Sequence, residues 1–536
     1  LRKGNFLPTT GQSTANSAGA GFGPLPDMGG LTIRSLLDAG ALEHPDRVFS
    51  VFPESRHVLT WSELRQAGVR VSACLSAAGI PGGAGVGILM ANGRTALELF
   101  LGSMYAGRVT ATFNPVAGLE TLAYVIAHSG VTQLYTDEAH AELAASAVKL
   151  SRREVDLQRV DRDTGLPTPG AKRSDGSKKP RPGDDALLIY TSGTTGRPKG
   201  VIHTHASLLA GGANTVSAHQ LERDDRALCV LPLCHINGLV VTVIAPLVSR
   251  SSVVLPSRFS TSSFWEWIVT EGCTWFSVVP TMISYLLGLD DAPRSVADDR
   301  LGHVRFGRSA SAPLAPAVHR AFVERFGIPL VETMGITETA AQILSNPLDP
   351  VAQRIGSPGR ACGNEVRIGE AGAPEGGAGR EGEIEVRGPN LMRAYLNDEH
   401  ATREAFTADG WYRTGDLGRM DPDGFVYVTG RIKELIIKGG ENISPREIDD
   451  VLYRFPGVLE AAALGVPDPE YGEEIAACVV PVPGARVDEG ALRDFCIDML
   501  GSFKSPRFFH FLEELPKGPS GKIQRLKLLG SLSRRG

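Results

Sequence analysis

The chain has 536 residues and a formal net charge of −5 at pH 7. A chain of this length buries a large core and divides into two or more domains, which excludes a small binding module. The modest net charge does not indicate a nucleic acid or an anionic membrane as partner.

The seven cysteines are odd in number, scattered, and never placed in a C-x-x-C pair. This usage is typical of a reducing compartment and argues against structural zinc. No apolar run approaches the roughly 20 residues that a membrane span requires, and the first residues lack the apolar block of a signal peptide. We therefore expect a cytoplasmic protein without a membrane span, and composition leaves its oligomeric state open.

Residues 1–30 are rich in Gly, Ser, Thr and Pro and show little periodicity, which predicts a flexible tail. Beyond them, short apolar runs at 86–90 and 186–190 alternate with helical patterns such as 95–105. This alternation predicts layered α/β sheets whose strands are buried on both faces. The predicted fold class is therefore α/β, with a large N-terminal domain over residues 31–430.

Residues 190–200, YTSGTTGRPKG, place hydroxyl groups among glycines directly after a buried strand. Glycines allow close backbone approach, and hydroxyl and N–H groups donate to phosphate oxygens. A Walker-type NTPase loop requires a lysine directly after the last glycine of its pattern, whereas Arg197 and Pro198 intervene here. A flexible surface turn is the alternative. The phosphate hypothesis assigns nucleotide binding to Thr191, Ser192, Gly193, Thr194, Thr195, Gly196 and Lys199.

The last quarter of the chain has a different pattern. Strict alternation at 383–387 predicts a half-exposed antiparallel strand. Further along, Ser444, Pro445 and Glu447 predict the N-cap, the first position and the capping-box acid of an amphipathic helix. These features predict a separate small α+β domain over residues 433–536.

Together these features resemble the superfamily of acyl-CoA synthetases, adenylation domains and luciferases, over nearly the whole chain after residue 30. The loop at 190–200 matches the superfamily signature almost letter for letter. The resemblance implies that a carboxylic acid and MgATP give an acyl-adenylate and pyrophosphate, after which a mobile C-terminal domain rotates and a thiol captures the acyl group. It thus implies an AMP-forming acid–CoA ligase that uses ATP, Mg²⁺ and coenzyme A, nearest in appearance to oxalate-type small-acid ligases.

Two further motifs concern ATP in this resemblance. The segment MGITET resembles the motif in which Thr337 contacts phosphate and Glu338 binds the metal, since Mg²⁺ prefers one or two carboxylates with phosphate oxygens and water. Asp416, in the segment TGD, resembles the carboxylate that accepts bonds from both ribose hydroxyls, and a buried carboxylate needs such donors.

The resemblance also places a hinge at 431–433. Arg431 would supply a second nucleotide contact, and the backbone of Lys433 would absorb the rotation of the C-terminal domain. A surface salt bridge is the alternative for both side chains. The turn that would line the channel for the pantetheine arm of coenzyme A contains Lys438, Gly439 and Gly440.

Near the C-terminus, the segment PKGPSGKI matches the superfamily element that carries the lysine of adenylation, here Lys522. Its ammonium would stabilise the charge that develops where the carboxylate meets the α-phosphate. Lys517, in the same segment, is expected to be solvated. The predicted catalytic residues are Lys522, Thr337, Glu338 and His235.

The acyl pocket is assigned from the segments LPLCHING and GRSASAP, where His235 resembles a gate or pocket wall rather than a base. Arg308 is suited to bind a second acid group by bidentate pairing, and equally suited to pair with a protein carboxylate. Malonate-type ligases resemble this chain but carry an arginine where it has Tyr285, so malonate is not expected. Small pocket residues would leave room for an aromatic or terpenoid acid, and the acid stays open. The predicted pocket residues are His235, Asn237, Gly238, Arg308, Ala310, Gly335 and Ala341.

Met334 departs from the superfamily pattern, which has an aromatic residue there for adenine to stack on. Methionine loses part of a stacking interaction of about 1 kcal/mol. Three alternatives follow: a ligase with impaired adenylation, in which thioester formation dominates; an adenylation enzyme that loads a carrier protein; and a non-catalytic protein that binds an acyl group or a nucleotide. The presence of Lys522, Glu338 and Asp416 argues against the last.

Overall fold

The computed structural model describes residues 21–168, 179–191, 197–289, 299–369, 379–517 and 523–532. These residues form a large N-terminal domain of layered α/β sheets and a smaller α+β C-terminal domain, as the sequence predicts. None of the helices in the described part is both long and apolar enough to cross a membrane.

The strands in the described residues are β1 (Val48–Phe52), β2 (His57–Thr60), β3 (Gly85–Leu89), β4 (Val109–Thr112), β5 (Gln133–Thr136), β6 (Asp156–Arg159), β7 (Asp185–Thr191), β8 (Lys199–Thr204), β9 (Arg226–Cys229), β10 (Ser252–Val254), β11 (Trp275–Val278), β12 (Phe306–Ser309), β13 (Leu330–Ile336), β14 (Ala341–Ser345), β15 (Arg360–Ala361), β16 (Glu365–Gly369), β17 (Gly382–Arg387), β18 (Ala394–Tyr395), β19 (Tyr412–Met420), β20 (Val426–Arg431), β21 (Ile436–Lys438), β22 (Glu441–Ile443), β23 (Val458–Asp468), β24 (Gly472–Pro481) and β25 (Phe508–Phe511).

The α-helices are α1 (Ile33–Glu43), α2 (Trp61–Ala77), α3 (Arg94–Tyr105), α4 (Leu119–Ser129), α5 (Ala141–Ser151), α6 (His205–His219), α7 (Ala245–Ser249), α8 (Phe264–Thr270), α9 (Pro280–Leu287), α10 (Pro316–Phe326), α11 (Glu399–Glu404), α12 (Pro445–Leu452), α13 (Glu489–Lys504) and α14 (Arg525–Leu532). A π-helix spans Asn237–Ile244, and short 3₁₀ helices include Thr337–Thr339 and Ile432–Glu434.

The predicted flexible tail is wrong for its last residues. Phe22 is buried against Ala218 and Cys362, and the N–H of Gly23 donates to the carbonyl of Ser217 at 2.8 Å. The chain is therefore anchored to α6 well before residue 31. Residues 1–20 lie outside the described part.

Two large sheets build the N-terminal domain. One has the order β18-β8-β7-β4-β3-β5-β6, with parallel strands from β7 to β6. The other has the order β15-β14-β13-β12-β11-β9-β10-β1-β2, parallel from β13 to β1. The runs at 86–90 and 186–190 lie largely in β3 and β7, and the helical pattern at 95–105 lies in α3, as predicted. Helix α6 is buried along almost its whole length, as expected of a helix enclosed by other layers.

The third sheet is antiparallel, with the order β16-β17-β19-β20. It contains the predicted strand at 383–387 within β17. The register of β19 and β20 places Asp416 opposite Arg431. Two residues that the sequence assigns to nucleotide binding are thus brought together by strand pairing alone.

The C-terminal domain packs α12, α13 and α14 on a sheet with the order β22-β21-β24-β23, to which β25 adds. The predicted capping box is wrong in one part. Ser444 caps α12 by accepting from the N–H of Arg446, but the Glu447 carboxylate contacts the Lys504 ammonium at 2.8 Å on α13 instead. A tertiary ion pair therefore takes the acid that the local pattern assigned to the cap.

Candidate active site

A cavity lies where the two domains meet. The N-terminal domain contributes the end of β13 and the loop between β12 and α10, and the C-terminal domain contributes the first turn of α12 and the residues that open α14. Strand ends of this kind are where ligands bind in open α/β sheets. The cavity lining includes Ser311, Glu332, Met334, Gly335, Asp416, Arg431, Arg446 and Ile523.

A tight reversal from β13 to β14 shapes one wall of the cavity. A side chain at Gly335 would place its Cβ only 1.5 Å from the carbonyl oxygen of Ala341, so only glycine fits there. Ala340 and Ala341 both have positive φ, at 45° and 80°, a conformation that costs non-glycine residues free energy. Ala341 is buried in this turn and does not line the cavity. Ala341 thus has a role in the turn, and its place in the acyl pocket stays a prediction.

The reversal presents Glu338 to two residues of β8 and β18. The hydroxyl of Tyr395 donates to Oε1 of Glu338 at 2.9 Å, and the ammonium of Lys199 lies 4.6 Å from the centre of the Tyr395 ring. Lys199 and Glu338, both predicted site residues, therefore contact the same tyrosine. The sequence did not predict a role for that tyrosine. Thr191 pairs with Lys199 across β7 and β8.

Thr337 is held through its backbone by His203. Burial lowers the pKa of His203 to about 4, so the ring is neutral at pH 7. Its Nε2 donates to the carbonyl oxygen of Thr337 at 2.7 Å. Sequence reasoning missed this histidine because its partner lies far away in the chain.

Asp416 and Arg431 form an ion pair, with the guanidinium Nε 2.5 Å from Oδ1 of the carboxylate. The charge of Asp416 raises the pKa of Arg431. Both residues line the cavity, and the carboxylate is almost fully buried. The pair therefore lies in the candidate site and is not the surface salt bridge that the sequence left as the alternative.

Glu332 is a buried carboxylate on the cavity wall that sequence reasoning missed. It lies two residues before Met334 on β13, and an acid in an otherwise apolar strand was the available signal. Burial raises the pKa of Glu332 to about 7, against the opposing charge of Arg446. The N–H of Leu314 donates to Oε1 at 3.4 Å. Among the described residues, Oε2 has no hydrogen-bond partner, and this atom is closed off from solvent.

The predicted acyl residues divide into two groups. Asn237 and Arg308 are hydrogen-bonded to each other at 2.8 Å behind the cavity wall, and His235 lies in the turn just before the π-helix. Gly238 instead packs against backbone, because a Cβ there would lie 2.8 Å from the carbonyl oxygen of Pro232. Gly238 is therefore needed for close packing, and its place in the acyl pocket stays a prediction. Ala310 is buried and bonds to β11 through its N–H.

Several predicted residues lie outside the described part of the chain: Ser192, Gly193, Thr194, Thr195, Gly196 and Lys522. The described residues that flank Lys522 pair with each other as an isolated bridge between Lys517 and Ile523. Ile523 lines the cavity. The Lys517 ammonium contacts Glu460 at 2.5 Å and lies 5.6 Å from the centre of the Tyr285 ring. Lys517 is thus paired rather than solvated, which corrects the prediction.

The turn with Lys438, Gly439 and Gly440 does not line the cavity. The Lys438 ammonium is buried within the C-terminal domain, 2.5 Å from Oε1 of Glu474. Lys433 lies in the 3₁₀ helix between β20 and β21, at the junction of the two domains. Its role as hinge stays a prediction.

Replacing Glu332 with glutamine should make stability less dependent on pH. The wild-type carboxyl has a raised pKa of about 7 when folded and an ordinary value of 4.5, so its ionisation destabilises the folded state as the pH rises from about 4.5 through 7. The thermal midpoint of Glu332→Gln minus that of wild type should therefore be several degrees larger at pH 8 than at pH 5.

Thermal unfolding of both proteins at the two pH values measures this difference. Glu324→Gln, an exposed position on α10, is the matched control and should show no such gain. A Glu332→Gln midpoint that tracks wild type at both pH values would contradict a buried, protonated carboxyl.

Comparison with known proteins gives a consistent assignment. A sequence model of the AMP-binding enzyme family matches residues 37–396, and one of the AMP-binding enzyme C-terminal domain matches residues 447–522. The chain is 48% identical to sulfoacetate–CoA ligase of Cupriavidus necator, over 93% of this chain and 97% of that protein. It is 36% identical to oxalate–CoA ligase of Arabidopsis thaliana, over 92% and 97%.

Among solved structures, ATP-bound MatB from Rhodopseudomonas palustris is similar with a TM-score of 0.85 at 29% identity, over 94% of this chain and 99% of that chain. The match thus spans both domains and not only the nucleotide-binding part. The chain belongs to the AMP-binding enzyme family, within the superfamily of acyl-CoA synthetases, adenylation domains and luciferases that its motifs resemble.

Proposed function

We propose that this chain is an AMP-forming acid–CoA ligase. In the first step a carboxylate oxygen of the acid attacks the α-phosphorus of ATP, the bond to the β-phosphate oxygen breaks, and pyrophosphate leaves. In the second step the thiol of coenzyme A attacks the acyl carbon of the adenylate, loses its proton, and displaces AMP. The thioester and AMP are the products.

The observation that carries this proposal is the distribution of charge in and beside one cavity. Lys199 and Glu338 both contact Tyr395 outside the cavity lining. The charge of Asp416, and after it that of Glu338, raises the pKa of Arg431 on the cavity wall, and the triphosphate and its metal would bind on the side of Glu338. Asp416 and Arg431 lie on another side, where the ribose would bind. The phosphate side thus offers a cation and a carboxylate, and the ribose side offers a buried carboxylate. This set of groups suits ATP better than it suits an acyl group alone.

Met334 and Glu332 share a face of β13 and supply the adenine end of the cavity. Methionine offers a soft surface to a ring, and the carboxyl of Glu332, which lines the cavity, would accept a hydrogen bond from the exocyclic amine of adenine. The predicted weakness at Met334 is thus partly offset by a second contact to the base.

The residues present fit a magnesium ion that enters with ATP. The described residues contain no cluster of three or more His, Cys, Asp or Glu that would hold a metal by themselves. Mg²⁺ prefers one or two carboxylates with phosphate oxygens and water, so the single carboxylate of Glu338 is sufficient. When bound, the ion would neutralise charge on the phosphate oxygens, while His203 and Tyr395 fix the segment that holds it.

The described arrangement of the domains suits the first step. The residue directly after Lys522 lines the cavity, whereas Lys438 is buried away from it. Lys522 would meet the charge that develops at the α-phosphate, and the rotation about Lys433 would later exchange this segment for the Lys438 turn.

The acceptor and the cellular compartment follow from separate observations. The relatives above are named as CoA ligases, which favours coenzyme A over a carrier protein as the thiol. All seven cysteines are free, which supports a reducing compartment such as the cytoplasm.

The variant Lys522→Ala should abolish adenylation and spare thioester formation. ATP–pyrophosphate exchange should fall by at least about 100-fold, because removing one preorganised charge-stabilising group costs about 2.7–4 kcal/mol of barrier. Thioester formation from a supplied acyl-adenylate should stay within a few fold of wild type. Lys517→Ala is the matched control in the same segment and should retain exchange, and equal loss of both half-reactions in Lys522→Ala would contradict the assigned role.

The variant Met334→Tyr should tighten ATP binding if stacking is what the site lacks. An aromatic contact adds about 1 kcal/mol, which corresponds to about fivefold in the dissociation constant. Isothermal titration of ATP measures the change, and Met420→Tyr, in the same apolar cluster but outside the cavity, is the control. An unchanged ATP affinity in Met334→Tyr would show that adenine does not use this surface.

A further inference from the structure

Arg308 is a fully buried arginine in the middle of the nine-stranded sheet. Only 1% of the residue is exposed, and its strand neighbours are Ser277 on β11 and Val331 on β13. Its Nη1 donates to Oδ1 of Asn237 at 2.8 Å and to Oγ of Ser277 at 3.2 Å. The guanidinium therefore lies on the face of the sheet that the π-helix covers.

No carboxylate in the described part of the chain lies within ion-pair distance of Arg308, unlike the other arginines that pair with acids at the domain interior, such as Arg525 with Asp449. The Nε of Arg308 has no hydrogen-bond partner among the described residues. Burial alone lowers the pKa of Arg308 to about 9, and no neighbouring acid counteracts it. The sequence left pairing with a protein carboxylate as an equal possibility, and the described residues do not supply one.

The surroundings of Arg308 contain donors and neutral groups rather than acids. His219 packs against Phe306 with ring centres 5.1 Å apart, and neither of its ring nitrogens has a partner among the described residues. The pKa of His219 is well below its ordinary value, because of burial first and then the charge of Arg308. An uncompensated positive charge is costly in such an interior.

This cluster adjoins the cavity through one side chain. The Nδ2 of Asn237 donates to Oγ of Ser311 at 3.2 Å, and Ser311 lines the cavity next to the strand that carries Met334. Asn237 thus has its amide nitrogen toward the cavity wall and its amide oxygen toward Arg308. Asn237 and Arg308 are buried and do not themselves line the cavity, so the far end of a bound acid would reach them past Ser311.

We propose that Arg308, with Asn237 and Ser277, binds a second anionic group at the far end of the substrate, so that the enzyme selects short acids that carry two negative charges. The inference rests on the proposed function and adds the class of acid to it. The second group is a sulfonate or a carboxylate, because both offer oxygens that accept two parallel bonds from a guanidinium. The amide of Asn237 turns to donate when the anion replaces its oxygen as the partner of Arg308.

The anion supplies the missing counter-charge. A ligand that lacks the second charge leaves Arg308 buried and unpaired, whereas a dianion converts it into a charge-assisted pair in a low-dielectric site. Rejection of an analogue that cannot make a buried polar contact is typically strong. Selectivity therefore arises from the energetic cost of leaving the arginine without a partner.

ATP–pyrophosphate exchange over a matched panel of acids tests the proposal with the full-length enzyme. Sulfoacetate and malonate carry a distal sulfonate and a distal carboxylate, and methylsulfonylacetate and butyrate are uncharged at the same end. In wild type, kcat/KM for at least one dianion should exceed that of its uncharged counterpart by about 100-fold. The better of the two dianions identifies the distal group.

The variant Arg308→Met should lower kcat/KM for the preferred dianion by about 100-fold and change that for the uncharged acids by less than threefold. Arg308→Lys keeps the charge without the planar fork, so its kcat/KM for the preferred dianion should lie between those of wild type and Arg308→Met. Arg226→Met is the matched control, since this arginine lies on β9 of the same sheet and bonds to Ser252 and Glu271. It should leave the selectivity unchanged.

Each outcome separates the inference from the function on which it rests. No exchange in wild type with any of these acids or with a wider set of acids would overturn the proposed function. Exchange with uncharged acids equal to or better than with dianions would overturn the inference alone, and this result needs no variant. Equal loss on all acids in folded Arg308→Met, with its thermal midpoint retained, would likewise assign Arg308 a structural role and overturn the inference.

Discussion

Buried ionisable groups without full partners are the constraint on which the candidate site depends. Glu332 lies on the cavity wall with one oxygen to which no described residue hydrogen-bonds, and Arg308 lies behind that wall without a carboxylate. Isolated charges are costly to bury, so a fold retains them only where something else gains from their presence. Glu332 on the cavity wall and Arg308 behind it fit two ligands, a base and an acid, that each complete one of them.

The rigid sheets make this placement possible. Arg308 and Glu332 lie on adjacent strands, β12 and β13, whose register is set by parallel pairing across the core. Beyond Glu332, β13 reverses through Gly335 and two alanines with positive φ, so that Glu338 faces Tyr395 while Met334 faces the cavity. The positive φ angles of one turn thus separate Glu338, the proposed metal ligand, from Met334, the proposed contact of the base.

The sequence predicted those parts of the fold that depend on neighbouring residues. Apolar runs located β3 and β7, and alternation located β17. A strand buried on both faces is apolar throughout, and a strand buried on one face alternates between apolar and polar residues. The motif at 190–200 was located by its glycines and hydroxyls, and its phosphate role stays a prediction. The pairing of Asp416 with Arg431 could not be predicted, although both residues were named, because it depends on strand register.

What the sequence could not predict depends on partners that are distant in the chain. Glu447 fits a capping box locally, yet Lys504 on another helix takes its carboxylate. Lys517 was expected to be solvated, yet Glu460 and Tyr285 surround it. A small residue is equally ambiguous, since the backbone of Pro232 requires a glycine at position 238 whether or not a ligand also lies there.

The contacts near the domain junction indicate why the proposed rotation of the C-terminal domain would cost little free energy. Lys438 and Glu474 pair within the C-terminal domain, and Asp416 and Arg431 pair within the N-terminal domain, so neither buried pair has to break when the domains move. The contacts that cross the junction include the Lys517 ammonium over the Tyr285 ring and a hydrogen bond from the Ser444 hydroxyl to the carbonyl of Thr429. A partly exposed cation–π contact contributes about 0.5–1 kcal/mol, and a typical hydrogen bond about 0.5–1.5 kcal/mol. These two buried ion pairs thus lie within the domains, and the proposed rotation would exchange contacts of the smaller kind.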